Sequence, residues 1–234
     1  MQTILIVGAN RGLGLEFVRQ YAADGNRVIA TCRTPAEADE LRALAAKAEG
    51  RVTIHPLEVT DPASIAAFKS VITDLPIDIA IANAGIYGGD KTGGGQGWDR
   101  MNFDAWANTF AVNTMGPLRI AQAVYANLKA GKGRTFVAVS SQMGSNAGAS
   151  TGSYAYRTSK AALNKLISTL ATEWKADNLI AAPVHPGWVQ TDMGGANAAL
   201  TPAESIAGLR RTIAGLTPET SGRFFNYDGT VLPW

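Results

Sequence analysis

Residues Thr3–Gly14 read TILIVGANRGLG. The first part, TILIV (Thr3–Val7), is short, apolar and rich in β-branched residues, and it stops at Gly8. That is the pattern of a buried strand running into a turn. The second part spaces Gly8, Gly12 and Gly14 as GxxxGxG and leads into GLGLEFVRQYAADG, a helical segment closed by Gly25. Backbone N–H groups at the start of a helix bind phosphate, and the helix dipole adds to the attraction. Glycines let the chain turn sharply and approach a pyrophosphate with no Cβ in the way. The generic dinucleotide fingerprint is GxGxxG, so this spacing matches it only in part, and a plain tight turn is the competing reading. The position between a first strand and a first helix favours a dinucleotide. Gly8, Asn10, Arg11, Gly12, Leu13 and Gly14 are therefore candidate cofactor-binding residues.

The alternation continues outward from that turn. RVIATC is a strand, and TPAEADELRALAAKAEG opens on a Thr-Pro helix start and closes on Gly50. RVTIHPLEV is a strand, and DPASIAAFKSVITDL a helix with Asp61 as N-cap and Pro62 in its first position. Then come the strand IDIAIANAG, the long helix FDAWANTFAVNTMGPLRIAQAVYANLK and the strand GRTFVAVSS. A second long helix, YAYRTSKAALNKLISTLATEWKADN, is followed by the strand LIAAPVHPG, the helix TPAESIAGLRRTIAGL and a last strand, GRFFNYDG. Seven strands alternating with six helices predict a doubly wound α/β fold: a parallel sheet, helices on both faces, right-handed crossovers. No linker or repeat divides the chain, so residues 1–234 are expected to form a single domain. One stretch departs from the pattern. YGGDKTGGGQGWDRM (Tyr87–Met101) carries six glycines and suits neither helix nor strand. It reads as a flexible insertion, a lid or a subunit contact, at the sheet edge where open α/β folds keep ligands.

Composition narrows the function classes. With 21 basic and 19 acidic residues the net charge is +2, and no basic run stands out, which argues against nucleic acid. One cysteine, Cys32, permits no intrachain disulfide, and with His55 and His185 it makes no familiar metal site. A reduced, cytoplasmic setting is expected. The opening MQTILIVGAN lacks a signal-peptide pattern, and no segment reaches the ~20 apolar residues of a membrane helix.

Two segments carry charge and proton chemistry. The second strand ends in TCR, with no acid where NAD-preferring folds place a carboxylate for the ribose 2′-hydroxyl. It offers Arg33 instead, with Arg11 in the glycine turn, and two guanidiniums suit a 2′-phosphate. NADP(H) is therefore expected over NAD(H), the alternative being two ordinary surface arginines. In GSYAYRTSK (Gly152–Lys160), Tyr156 and Lys160 stand four residues apart and share a helix face; Tyr154 lacks that spacing. A phenol of pKa ~10 is a poor proton couple at neutral pH. A nearby ammonium is expected to pull it down toward the working range. YxxxK alone is common by chance.

Taken in order, GANRGLG, NAG (Asn83–Gly85), Asn113 in AVNTMG, VSSQMG, YxxxK and HPGWVQTDM resemble the short-chain dehydrogenase/reductase family over essentially the whole chain. The ending TPETSGRFFNYDGTVLPW, with CR and YAYRTSK, is most similar to its carbonyl-reductase-like branch, of sniffer and C-factor type. The resemblance implies a Rossmann-type fold, NADP(H)-dependent reduction of a ketone or aldehyde or the reverse oxidation, and a homodimer or tetramer built through the two long helices. It implies Tyr156 as proton donor, with Lys160 lowering its pKa and bonding the nicotinamide ribose. Ser141 would polarise the substrate oxygen, and Asn113 would hold a water linking Lys160 to solvent. Ser141 lies fifteen residues before Tyr156, a little farther than the family's gap, so Ser140 remains a rival. Asn83, Ala84 and Gly85 would line the cofactor. Pro186, Gly187 and Val189 would face the nicotinamide, and Thr191 would reach the pyrophosphate. Glu58 stands where the family often has aspartate beside the adenine, with the backbone of Val59 as the other possible contact. Trp188 would wall the substrate pocket, and His185 reads as structural. A dinucleotide-binding signalling or regulatory protein with incidental turnover is the competing function.

Overall fold

The apolar runs at the centre of the chain's sheet become strands covered on both faces, which is what a parallel sheet demands of its residues, while VTIHP, at the edge, stays partly open. A computed structural model describes residues 1–89, 94–148 and 150–234. In chain order the elements are β1 (Thr3–Val7), α1 (Gly12–Ala23), β2 (Arg27–Cys32), α2 (Asp39–Lys47), β3 (Val52–Pro56), α3 (Pro62–Val71) and β4 (Ile79–Ala82). There follow β5 (Gln96–Gly97), β6 (Arg100–Met101), α4 (Phe103–Phe110), α5 (Gly116–Ala130), β7 (Thr135–Val139), α6 (Tyr154–Glu173), β8 (Ile180–His185), α7 (Pro202–Ala214) and β9 (Phe225–Asn226). Seven of the strands form one parallel sheet in the order β3-β2-β1-β4-β7-β8-β9, and β5 and β6 form a separate short hairpin.

The order reverses between β1 and β4, and the strands end in step there. Val7 is opposite Thr31 and Ala82, Ala82 opposite Ala138, and Val139 opposite Val184. The segments that follow Val7, Cys32, Ala82, Val139 and His185 thus emerge along one carboxyl edge, where open α/β sheets bind ligands. The opposite edge is tied by Asp78. Its carboxylate accepts from Thr3 N at 2.8 Å, Lys132 N at 2.8 Å and Gly133 N at 3.1 Å, which joins the starts of β1, β4 and β7.

Period two divides the core between the faces. Ile4 and Ile6 of β1 join Phe17, Leu41, Ile206 and Leu209 in one cluster, with α1, α2 and α7. Leu5 and Val7 point the other way, to Phe68, Ile120, Phe136 and Leu163, with α3, α5 and α6. Each such fully buried side chain is worth about 1.5–3 kcal/mol of transfer free energy.

Three local expectations need correction. The long helix expected over 103–129 is interrupted by a π-helical stretch, Ala111–Met115. Pro117 has no N–H for the carbonyl of Asn113 four residues earlier, and the wider turn accommodates the missing bond. The Thr-Pro start yields only a 3₁₀ turn, Pro35–Glu37, because Ala38 leaves helical geometry and α2 begins afresh at Asp39. The glycine-rich stretch does contain strand, the β5–β6 hairpin, with Gln96 paired to Met101. Residues 90–93 of that stretch, to which the flexible, lid or subunit-contact reading applied, lie outside the described residues, as does residue 149. Asp61 caps α3 as expected, accepting from Ala63 N at 2.9 Å. Among the described residues, no helix is long and apolar enough to cross a membrane, and no three His, Cys, Asp or Glu cluster as a metal site.

Candidate active site

The glycine turn closes on itself. Gly8 has φ +82°, and a Cβ there would stand 2.8 Å from Ala84 Cα. A Cβ at Gly14 would strike the carbonyl of Gly8 and come within 2.7 Å of Asn83 Nδ2. Asn83 Nδ2 in turn donates to the Gly8 carbonyl at 2.7 Å, so the end of β4 braces the turn that follows β1. Helix α1 starts at Gly12 with no side-chain cap and no acid in its first turn, whereas Asp61, Asn102 and Thr201 cap α3, α4 and α7. Uncapped first-turn amides beside close-packed glycines are what a phosphate group requires. This is the feature by which the turn fits a dinucleotide.

Thr191 crosses from the segment after β8 to the same place: its methyl carbon lies 3.6 Å from where a Cβ of Gly12 would be. Val189 bridges Leu200 through its neighbours' groups, Gln190 N and Trp188 O, so its own amide is not spent in that bridge. Pro186 is anchored by Ser205 Oγ donating to its carbonyl at 2.6 Å. Gly187 has φ +82°, and a Cβ there would strike the Leu200 side chain. Trp188 is 57% exposed, with its indole N–H donating to Gly194 O at 2.8 Å; it stands on the loop surface.

Both arginines have acidic partners. Arg11 pairs with Asp192 across the mouth between the glycine turn and the loop after β8. Arg33 Nε lies 4.0 Å from Glu58 Oε2. Glu58 is also engaged locally, its Oε1 accepting from Thr60 N and Thr60 Oγ1 at 3.0 and 2.9 Å. The carbonyl of Val59 accepts from Arg119 at 3.3 Å. Surface ion pairs of this kind contribute about 0–1 kcal/mol, so a phosphate can displace them at little cost.

At the chemical end, α6 carries Tyr156 and Lys160 one turn apart, both buried. The Ser141 side chain is set beside the Tyr156 hydroxyl, where its hydrogen-bonding influence favours the phenolate, and its Oγ accepts from Met143 N at 3.2 Å. Ser140 is committed elsewhere: its Oγ donates to Asn164 Oδ1 at 2.5 Å and its N to Val184 O at 2.7 Å. Lys160 Nζ donates to the Val139 carbonyl at 2.8 Å and lies 3.5 Å from where Gly85 would carry a Cβ. Tyr154 is partly exposed on the outer face. The Asn113 side chain clamps the segment after β4. Its Oδ1 accepts from Ile86 N and its Nδ2 donates to Ile86 O, both at 2.8 Å, and Nδ2 also donates to Ser159 Oγ at 3.0 Å.

The charges depart from the expectation. Burial pushes the Tyr156 phenol up to about 12; the Ser141 side chain offsets this only in part, and nearby Tyr87 adds to the rise. Lys160 is pushed down to about 8 by burial. Its Nζ sits 5.7 Å from the tyrosine ring centre with a carbonyl as its partner, and desolvation outweighs its attraction for a phenolate. The phenol is thus held protonated rather than made acidic. His185, at the end of β8, is lowered to about 4 by burial and carries no charge at neutral pH.

Residues that sequence reasoning passed over also meet here. The Tyr87 ring lies 4.9 Å from the Tyr156 ring, and its hydroxyl bonds Ser153 Oγ. Gln96 Oε1 accepts from Tyr156 N at 3.1 Å. Tyr87 could have been suspected from its place two residues after NAG; Gln96 had no such signal.

The profile of the short chain dehydrogenase family matches residues 2–200. The C-signal protein of Myxococcus xanthus is 41% identical over 174 residues, which cover 72% of this chain and 99% of that protein. The NADPH-bound carbonyl reductase from chicken fatty liver superposes with a TM-score of 0.89 at 33% identity, over 100% of this chain and 99% of that one. The carbonyl reductase Sniffer of D. melanogaster superposes at 0.88 with 32% identity, over 100% of both chains.

Proposed function

The chain belongs to the short-chain dehydrogenase family, and from that premise we propose that it reduces a ketone or aldehyde to an alcohol with NADPH, or runs the reverse oxidation. The observation that carries the reading is buried Tyr156 beside Ser141, with buried Lys160 one turn on, at the edge where the glycine turn opens. Gly8, Asn10, Arg11, Gly12, Leu13 and Gly14 would hold the pyrophosphate with Thr191; Arg33 and Arg11 the 2′-phosphate; Glu58 and Val59 the adenine side. Asn83, Ala84, Gly85, Pro186, Gly187 and Val189 would line the nicotinamide half. When bound, the reduced cofactor supplies a hydride for a carbonyl carbon. The chain's own residues handle the oxygen and the proton. Tyr156, protonated at neutral pH, donates to the carbonyl oxygen, and Ser141 steadies the same oxygen. Lys160, at about 8, is the buried group nearest neutral pH and restores the proton to the phenol side. Asn113 holds Ile86 and Ser159 around that path. The reading includes a homodimer or tetramer through α4–α5 and α6.

The likeness to C-signal favours a second reading, in which dinucleotide binding serves signalling and turnover is incidental. One experiment addresses both. A panel of carbonyl compounds is offered with NADPH to wild type and Tyr156→Phe. The variant is expected to lose about 10²–10⁴-fold in rate while NADPH affinity stays within about three-fold. A variant that keeps most of its activity refutes the mechanism; a wild type that binds NADPH and reduces nothing favours the second reading. In the same assay, neutralising Arg11 and Arg33 together should weaken NADPH at least about ten-fold more than NADH. Equal losses refute the cofactor preference.

A further inference from the structure

Helix α6 begins without a cap of its own. Ser153 holds the N-cap position with φ 52°, and its side chain makes no capping bond; its Oγ is engaged by the Tyr87 hydroxyl. The amide of Tyr156, third in the helix, is one of those that helix geometry leaves without a partner. Gln96 takes that place from sixty residues away in the sequence, its Oε1 accepting from Tyr156 N at 3.1 Å. Its Nε2 donates to the Tyr87 carbonyl at 3.2 Å, and the whole side chain is buried, 5% exposed. One amide therefore holds the backbone of Tyr156 and the backbone of Tyr87, whose ring packs on the tyrosine ring.

We propose that Gln96 is a positioning residue for Tyr156, setting where its hydroxyl stands relative to Ser141; this rests on the reaction proposed above. A cap that served stability alone would have no reason to reach the neighbour of the reacting ring as well. Losing Gln96 frees both sides of the ring contact at once, and small displacements of a reacting group are costly.

Wild type, Gln96→Ala, Gln96→Glu and Tyr156→Phe are compared, with rates expressed per NADPH-binding site so that unfolded protein does not count. Gln96→Ala is expected to lower kcat per site about ten-fold or more with NADPH affinity within about two-fold. Gln96→Glu still presents an oxygen to the Tyr156 amide but, as a carboxylate, has no N–H for the Tyr87 carbonyl, so it should recover only part of kcat. Its pH profile should move upward, because a carboxylate beside the phenol favours the protonated form. Hydrogen exchange of the Tyr156 amide should quicken in Gln96→Ala and stay slow in Gln96→Glu. A kcat per site within about two-fold of wild type in Gln96→Ala, or unchanged amide exchange there, overturns the proposal. If Gln96→Ala does not fold, a Gln96→Glu profile identical to that of wild type overturns it. A wild type that reduces no carbonyl, or an active Tyr156→Phe, instead strikes the reaction on which the proposal rests and overturns both.

Discussion

Lys160 shows how one buried group writes itself into the stability of the molecule. Folded, its amine titrates at about 8 against an ordinary 10.5, with burial as the cause. Below pH 8 both folded and unfolded chains carry the charge, and the fold bears its full burial cost. From pH 8 to 10.5 the folded chain loses the proton first, the unfolded state binds more protons, and stability rises. Tyr156 acts in the opposite sense: raised from 10.0 to about 12, it makes stability fall as pH climbs through that interval. Urea unfolding of wild type at pH 7 and pH 10 should therefore show a gain attributable to Lys160 of about 2 kcal/mol, which Lys160→Met removes. Parallel curves for the two proteins would refute the assignment. At this scale the placement was legible, since i,i+4 spacing alone puts Tyr156 and Lys160 on one face, and both are buried there. It misjudged the phenol, because desolvation depends on what packs around α6, and that is set by residues far away in the chain.

Among the elements, strand runs such as TILIV and IAIA were legible because burial on both faces writes an unbroken apolar run locally. The π-helical stretch at Ala111–Met115 was not. The sequence was read there as one long helix; Pro117 removes a bond from it, and such a loss can be resolved as a kink, a break or a wide turn. The cradle of glycines was legible as a spacing, while Asn83 bracing Gly8 needed the pairing of β1 with β4. Between Ser140 and Ser141 nothing in the VSSQMG sequence could decide; in the fold Asn164 engages the first, while the second lies beside Tyr156. The turn also makes the sharpest prediction at this scale. Gly14→Ala puts a methyl against the Gly8 carbonyl and Asn83, and the turn must open to admit it. The expected result is loss of measurable NADPH binding by calorimetry and a stability cost of about 1–3 kcal/mol. Full-affinity binding in that variant would show that the turn is not the phosphate site.

For the molecule as a whole, the sheet separates its two edges. Substituting alanine for Asp78 frees three backbone amides at the edge remote from the glycine turn. A loss of about 2–3 kcal/mol is expected, which for a chain of this size lowers the melting temperature by about 5–10 °C. NADPH affinity should be unchanged; a matching fall in affinity would mean that the edges are coupled. The consequence reaches past any one reaction. Since a single carboxylate laces the starts of three strands together at the rear, the front loops carry none of that tie, and substitutions confined to them leave it whole.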